Sequence, residues 1–239
     1  MNGLKKSDLD INKKILRVRE IFFDFEGTLV NFQWQLIPAV NECLSALIKA
    51  GFKKEWYGSN PGYAHIYNHT FDLTLKGQVQ DEAPPALAII NTIYDRYDAD
   101  ALSRWNLYPD TLDGLEMLGK QGFRMGIVSN IGKASLQTAM DRMDLSGRIE
   151  VVISRNDIKH IKPHPEGLIK AAETLQVVPA QIVFIGDSRN DVQAARAAGM
   201  LAVYLRGGED SPEDMARFPA DLEIDNLGQL PPLLSRIIP

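Results

Sequence analysis

Five short runs of apolar residues most restrict what this chain can fold into. They are rich in Ile, Val and Phe and lack strict polar alternation, which is typical of strands buried on both faces of a sheet. The runs cover Glu20–Phe25, Phe123–Ser129, Ile149–Ile153, Gln181–Gly186 and Leu201–Leu205. Helical stretches separate the later runs, and this alternation is typical of a parallel sheet. The sequence therefore predicts an α/β fold with a Rossmann-like parallel-sheet core.

The segment 32–107 does not fit this alternation, because it is too long for one crossover between strands. It lacks β-branched runs and has helical spacing of its apolar residues. One helical face is predicted from Leu36, Val40, Leu44, Leu47 and Ile48, and further helices from Tyr63–Leu75 and Pro85–Tyr97. We therefore predict a core of residues 1–31 and 108–239, and an inserted helical cap of residues 32–107.

Local signals add three expectations for the core. Asp110 begins a possible capping box, and Ser188 is a suitable cap for another helix. The segment Ala220–Ile224 is predicted to add an edge strand.

The composition narrows the class of protein. The 239 residues are 45% hydrophobic and 24% charged, as in an ordinary soluble globular protein, and Cys43, the single cysteine, fits a packed core thiol. A net charge of −5 without a basic stripe argues against nucleic-acid binding. No signal peptide or membrane-spanning run is predicted, so a cytoplasmic location is expected. The sequence leaves a monomer and a homodimer open.

The sequence Asp24-Phe25-Glu26-Gly27-Thr28 directly follows the first apolar run. Asp24 and Glu26 are two residues apart, and such residues of a strand point to the same side. Both acids can thus face one ligand at the carboxyl end of a parallel strand, where open α/β sheets bind ligands. Thr28 adds a hydroxyl and an N–H. The pattern suits a nucleophile and a proton-transfer residue, although a solvated acidic turn would have the same sequence pattern.

Three further sites lie at predicted strand ends or loops. Ser129-Asn130 follows the second strand and can cradle phosphoryl oxygens, although Ser-Asn is also an ordinary turn. Lys162 precedes Pro-His-Pro, and the prolines fix the direction of the lysine. Asp187 ends the fourth strand, with Asp191 one helical turn later. Two carboxylates at this spacing suit a hard cation, although they also complement a helix dipole.

These four sites, in this order on these elements, resemble those of the haloacid dehalogenase-like hydrolase superfamily. The resemblance covers most of the α/β part, and the insertion resembles the helical cap of the phosphoglycolate phosphatase-like branch. It implies that Asp24 is the nucleophile, that Ser129 binds the phosphoryl group and that Lys162 neutralises charge. It also implies a magnesium site formed by Asp24, Asp187, Asp191 and the backbone carbonyl of Glu26.

One departure from the family concerns Glu26, which stands where its phosphatases usually have Asp. Glutamate can still transfer a proton, but its carboxyl lies one methylene further out. The enolase-phosphatases of methionine salvage are similar in carrying Glu there, yet residues 128–130 do not match their serine-rich second motif. The dehalogenase and phosphonatase branches have an aromatic residue and an alanine at this position. Glu26 therefore indicates phosphate-ester chemistry.

The charges of the predicted site require a cation. Each like-charge pair at 4 Å costs about 4 kcal/mol at an effective dielectric constant of 20. Mg²⁺ and Lys162 would supply three positive charges against the phosphate and four acids, and an oxygen-only ligand set favours magnesium over zinc. In the predicted cycle Asp24 attacks phosphorus to give an aspartyl-phosphate, while Glu26 protonates the leaving oxygen and then activates water.

The sequence therefore predicts a magnesium-dependent phosphatase, a phosphoric monoester hydrolase that acts on a small phosphorylated metabolite. The catalytic residues are predicted to be Asp24, Glu26, Ser129 and Lys162. The substrate-binding residues are predicted to be Thr28, Ser129, Asn130 and Lys162. Two alternatives stay open: a phosphosugar mutase of the same family, and a non-catalytic phosphate-binding protein.

Overall fold

A six-stranded, wholly parallel sheet forms the centre of the molecule, which confirms the predicted α/β class. The computed structural model describes residues 18–77 and 83–235. The strand order is β3-β2-β1-β4-β5-β6. The strands are β1 (Glu20–Phe23), β2 (Arg124–Val128), β3 (Val151–Ile153), β4 (Ile182–Gly186), β5 (Leu201–Leu205) and β6 (Leu222–Ile224).

The sheet reverses its direction of growth between β1 and β4. From β1 the chain adds β2 and β3 on one side, and β4, β5 and β6 extend the other side. Phe23 pairs with Ile127 of β2 and with Ile185 of β4, so these three neighbouring strands end at one level. Open α/β sheets bind ligands in the crevice outside such a reversal point. The residues that follow these strands are therefore placed together.

Helices flank the sheet because its inner strands are buried on both faces. Glu166–Leu175 contacts β2 and β3, and Arg189–Ala198 contacts β4 and β5. In chain order the helices are α1 (Leu36–Lys49), α2 (Tyr63–Leu75), α3 (Ala83–Leu102), α4 (Thr111–Lys120), α5 (Lys133–Arg142), α6 (Glu166–Leu175), α7 (Arg189–Ala198), α8 (Pro212–Met215) and α9 (Leu230–Ser235).

The segment between β1 and β2 carries the helices α1, α2 and α3, which contact one another. On α1 the buried face is formed by Ala39, Cys43 and Leu47, whereas Ile48 is exposed. The predicted face was therefore wrong at Ile48. The fully buried residues repeat every four positions, and each of them precedes by one residue the predicted Val40, Leu44 and Ile48. The core position of Cys43 is confirmed. The third helix is longer at both ends than predicted.

The two predicted helix caps have different outcomes. Ser188 forms a capping box at the start of α7, in which its N–H and hydroxyl donate to the carboxylate of Asp191. Asp110 makes no side-chain cap, because its carboxylate accepts from the N–H of Gly228 instead. A tertiary contact thus replaces the predicted local one. Within the described ranges, no helix is both apolar and long enough to cross a membrane.

Candidate active site

Asp24 and Lys162 form a buried ion pair at the end of β1. The Lys162 Nζ lies 2.6 Å from the Asp24 Oδ1 and 2.6 Å from the Asp191 Oδ1. Asp24 is fixed by its own backbone, since its N–H donates to the carbonyl of Ile185 on β4. Burial raises the pKa of Asp24 to about 6, although Lys162 opposes this shift. Burial alone would lower the pKa of Lys162, but Asp191 and Asp24 outweigh it and raise that pKa.

Asp24, Asp187 and Asp191 form a cluster of three buried carboxylates. One oxygen of each lies within 4.8 Å of an oxygen of the other two. Burial raises the pKa of Asp187 well above its usual value, and the negative charges of Asp191 and Asp24 add to this shift. With Lys162 the group carries a formal charge of −2. A divalent cation would neutralise it, and carboxylate oxygens are ligands that such a cation prefers.

Two glycines allow the backbone to approach the carboxyl group of Asp187. A Cβ on either Gly27 or Gly208 would overlap that carboxyl group, and Gly27 also has a φ of +85°. Asp187 accepts hydrogen bonds from the Thr28 hydroxyl at 3.2 Å and from the Glu209 N–H at 2.5 Å. Thr28 is fully buried, and its hydroxyl thus positions a predicted metal ligand. Its predicted contact with substrate stays a prediction.

Glu26 is held beside the cluster by donors from the segment that leads into and out of the inserted helices. Its Oε1 accepts from the Trp105 indole N–H at 2.7 Å and from the Gln33 N–H at 2.6 Å. Burial raises the pKa of Glu26 to about 7, although these two hydrogen bonds oppose the shift. A carboxyl group with a pKa near neutrality can both give and take a proton.

Ser129 and Asn130 follow β2 and line the same cavity as Asp24 and Lys162. The Ser129 N–H donates to the carbonyl of Ile153. The Asn130 side chain accepts from the Lys162 N–H at 3.0 Å and donates to the Lys162 carbonyl at 3.2 Å. Asn130 therefore fixes the backbone of the loop that presents the lysine. The predicted binding of substrate by Ser129 and Asn130 stays a prediction.

A buried arginine that sequence reasoning missed joins the sheet to the inserted helix α3. Arg155 follows β3 and donates to Asp98 at 2.9 Å, to Asn91 at 3.0 Å and to the Asn130 carbonyl at 2.7 Å. It also pairs with Asp95. Gly132 donates its N–H to Asp98 at 2.9 Å. Nothing in the sequence around Arg155 distinguishes it from a surface arginine, since its three partners on α3 lie about 60 residues away.

Trp105 and Tyr63 are further residues that sequence reasoning did not assign. Trp105 donates to Glu26, and an apolar residue far from the motif gives no local signal of that contact. Tyr63 begins α2, and its hydroxyl lies 3.1 Å from the Asn130 side-chain nitrogen and 3.5 Å from that of Asn190. Tyr63 belongs to an inserted helix, and Trp105 follows the last of them. The inserted helices thus lie over the acid cluster.

Comparison with known proteins identifies the class. A family model described as haloacid dehalogenase-like hydrolase matches residues 21–204, which include Asp24, Glu26, Ser129, Lys162, Asp187 and Asp191. The chain therefore belongs to the haloacid dehalogenase-like hydrolases, as its motifs predicted, and the prediction of an enzyme of the phosphatase type is confirmed.

Particular relatives are phosphoglycolate phosphatases. The chain is 32% identical to the phosphoglycolate phosphatase of Salmonella choleraesuis, with 92% of this chain and 94% of the relative covered. It is 30% identical to that of Escherichia coli O157:H7, with 91% and 92% covered. The crystal structure of a predicted phosphoglycolate phosphatase from Haemophilus somnus aligns with a TM-score of 0.63 at 22% identity, covering 91% of this chain and 98% of that one.

Proposed function

We propose that this protein is a magnesium-dependent phosphatase that hydrolyses a small phosphorylated metabolite through an aspartyl-phosphate intermediate. The observation that carries the proposal is the contact of Asp24 with Lys162 inside the cluster that Asp187 and Asp191 complete. The relatives' activity is of the same kind. The cavity lined by Asp24, Glu26 and Lys162 measures about 40 Å³. Asp24, Glu26 and Lys162 thus border one shared space, as the proposed reaction requires.

The donor set fits the proposed cation. Asp24, Asp187 and Asp191 offer only oxygen, they are buried, and their charge exceeds that of Lys162 by two. Gly27 and Gly208 leave space for the Asp187 carboxyl group that any side chain would fill. A bound Mg²⁺ would neutralise the acids and the phosphate oxygens and so lower their repulsion.

The first step transfers the phosphoryl group to the protein. A carboxylate oxygen of Asp24 forms a bond to phosphorus, and the bond from phosphorus to the leaving oxygen breaks. Lys162, already 2.6 Å from Asp24, balances the negative charge of the phosphoryl oxygens. Glu26 gives its proton to the leaving oxygen, so the product departs as a neutral alcohol.

The second step returns the site to its starting state. Glu26, now a carboxylate, takes a proton from water while the water oxygen attacks phosphorus. The bond from phosphorus to Asp24 breaks, which releases inorganic phosphate and restores the Asp24 carboxylate. The Trp105 and Gln33 hydrogen bonds hold Glu26 in place through both steps.

Phosphate release by wild-type protein and by Asp24→Asn tests this function. We expect wild type to release phosphate from p-nitrophenyl phosphate only with Mg²⁺, and Asp24→Asn to lose at least about 10³-fold in kcat with its circular dichroism unchanged. An acid-quenched reaction should show a phosphate adduct on the peptide that contains Asp24, by mass spectrometry.

The exposed acid Asp113 on α4 supplies the control, and Asp113→Asn should keep full activity. Unchanged activity in Asp24→Asn would refute the covalent mechanism. Phosphate binding without turnover would favour the non-catalytic alternative, and activity that needs a bisphosphate primer would favour the mutase.

A further inference from the structure

We infer that the leaving group of the substrate is an uncharged, partly apolar alcohol, and that the site disfavours a leaving group with its own carboxylate. This inference rests on the proposed function and names the substrate class of the same site. It separates this protein from the substrate that its relatives' names indicate. The reason lies in the residues that line the cavity on the side of the inserted helices.

Every cation that lines the cavity is already neutralised. Arg155 and Lys162 are the only lysine or arginine side chains on its wall among the described residues. Lys162 contacts two carboxylates of the acid cluster. Arg155 is shared by Asp95 and Asp98 and also donates to two neutral acceptors. Within residues 18–77 and 83–235, no cation that lines the cavity is therefore left unpaired for a second anion on the substrate.

Apart from Asp98, which is paired with Arg155, the wall that the inserted segment contributes is aromatic and aliphatic. Trp34 packs against Tyr63 and Tyr94 with ring centroids 5.3 Å apart in each case. Phe32 and Leu36 line the same cavity. Such a surface is stabilised by apolar carbon and gains nothing from a carboxylate, which would lose its hydration there.

Two further polar groups that line the cavity also suit a neutral ligand. The Trp34 indole N–H is buried and has no hydrogen-bond partner within the described part of the chain, and one neutral donor matches one hydroxyl or ether oxygen. Glu209, which follows β5, also lines the cavity. A second anion would thus approach an acid and not a base.

A pair of substrates with equal skeletons measures the discrimination. Phosphoglycolate and 2-hydroxyethyl phosphate differ only in a carboxylate against a hydroxymethyl group. We expect kcat/KM with Mg²⁺ to be at least tenfold higher for 2-hydroxyethyl phosphate, because a buried charge without a partner costs more than a satisfied neutral group. Equal or faster turnover of phosphoglycolate would overturn the inference.

A variant series separates charge from shape. Leu36→Lys places a cation on the wall, and we expect it to raise the ratio of kcat/KM for phosphoglycolate to that for 2-hydroxyethyl phosphate at least about fivefold. Leu36→Gln keeps a similar length without the charge and should leave the ratio unchanged. Ile48→Lys adds the same charge on the exposed end of α1, about 18 Å away at 1.5 Å per residue, and should also leave it unchanged. A ratio in Leu36→Lys no higher than in Leu36→Gln would refute the role of charge.

Binding to Asp24→Asn gives a readout that does not need turnover. By calorimetry with Mg²⁺ present, we expect phosphoglycolate to bind at least tenfold more weakly than 2-hydroxyethyl phosphate. Absence of phosphate release from both esters would refute the proposed function, while this binding order would still decide the inference. Tighter binding of phosphoglycolate would overturn the inference even if the protein is a phosphatase.

Discussion

At the scale of single residues, the site depends on acids in different environments. Asp24 contacts a lysine, whereas Glu26 accepts hydrogen bonds from an indole and a backbone N–H. Burial therefore raises the pKa of Glu26 to about 7, above that of Asp24 at about 6. Environments that give two carboxyl groups different pKa values also suit them to different catalytic roles. The more acidic group suits a nucleophile, and the less acidic one suits proton transfer.

The change Glu26→Gln tests the role of the second acid. We expect it to slow turnover most for alkyl phosphates, whose leaving oxygen needs a proton, and much less for p-nitrophenyl phosphate. A difference of at least about tenfold between the two substrates fits the usual contribution of general acid catalysis. The measurement is kcat for each substrate in wild type and variant. Equal slowing for both would count against Glu26 as the acid.

At the scale of elements, the sheet and α3 are joined through a buried charge cluster. Asp98 is almost fully buried and accepts from Arg155 and from Gly132, whereas Asp95 is half exposed. Burial raises the pKa of Asp98, although Arg155 opposes the shift. A Cβ on Gly132 would overlap Asp95, so glycine is needed where the loop after β2 meets α3. These contacts hold the inserted helices over the acid cluster.

The variant Asp98→Ala tests this junction. Removing one partner of a buried ion pair leaves charge uncompensated, which typically costs about 3–5 kcal/mol. We expect a loss of about 3 kcal/mol in the free energy of unfolding, measured by urea titration. Asp95→Ala removes a half-exposed partner of the same arginine and should cost less than about 1 kcal/mol. Equal losses in the two variants would show that burial does not set the strength of the junction.

At the scale of the whole molecule, the strand order creates the site. The acids follow β1 and β4, which are adjacent in the sheet although their residues are about 160 positions apart. Bringing three carboxylates together costs free energy that the contacts of the fold must offset. The pKa values of Asp24 and Asp187 are raised because burial and the neighbouring carboxylates disfavour their charged forms. A divalent cation would remove that cost, so stability and metal binding are linked.

Metal removal tests this linkage. At a Mg²⁺ concentration 100 times its Kd, binding to the native state alone adds about 2.7 kcal/mol of stability. For a domain of this size that corresponds to an increase in Tm of about 5–10 °C, measured by differential scanning calorimetry with Mg²⁺ against EDTA. The variant Asp187→Asn should lose most of this increase in Tm. An increase of the same size in that variant would place the stabilising cation elsewhere.

Local patterns determined much of this structure before any contact was known. The apolar runs gave the strands because residues buried on both faces lack alternation, and Ser188 capped α7 as its sequence indicated. The motif around Asp24 fell at the carboxyl end of β1 for the same reason. Asp110 shows the limit of such reasoning. Its sequence is typical of a helix cap, but its carboxylate accepts a hydrogen bond from the N–H of Gly228, 118 residues away. No local pattern encodes such a distant competing partner.

The sequence by itself determined the fold class, the family and which acids follow which strands, because these depend on residues close together in the chain. Only the tertiary structure decided that Arg155 is buried and neutralised, that Trp105 holds Glu26, and that the wall above Asp24 is aromatic. These facts depend on how the inserted helices meet the sheet. Which charges on the cavity wall are paired depends on residues from distant parts of the chain. Only the folded structure therefore determines it.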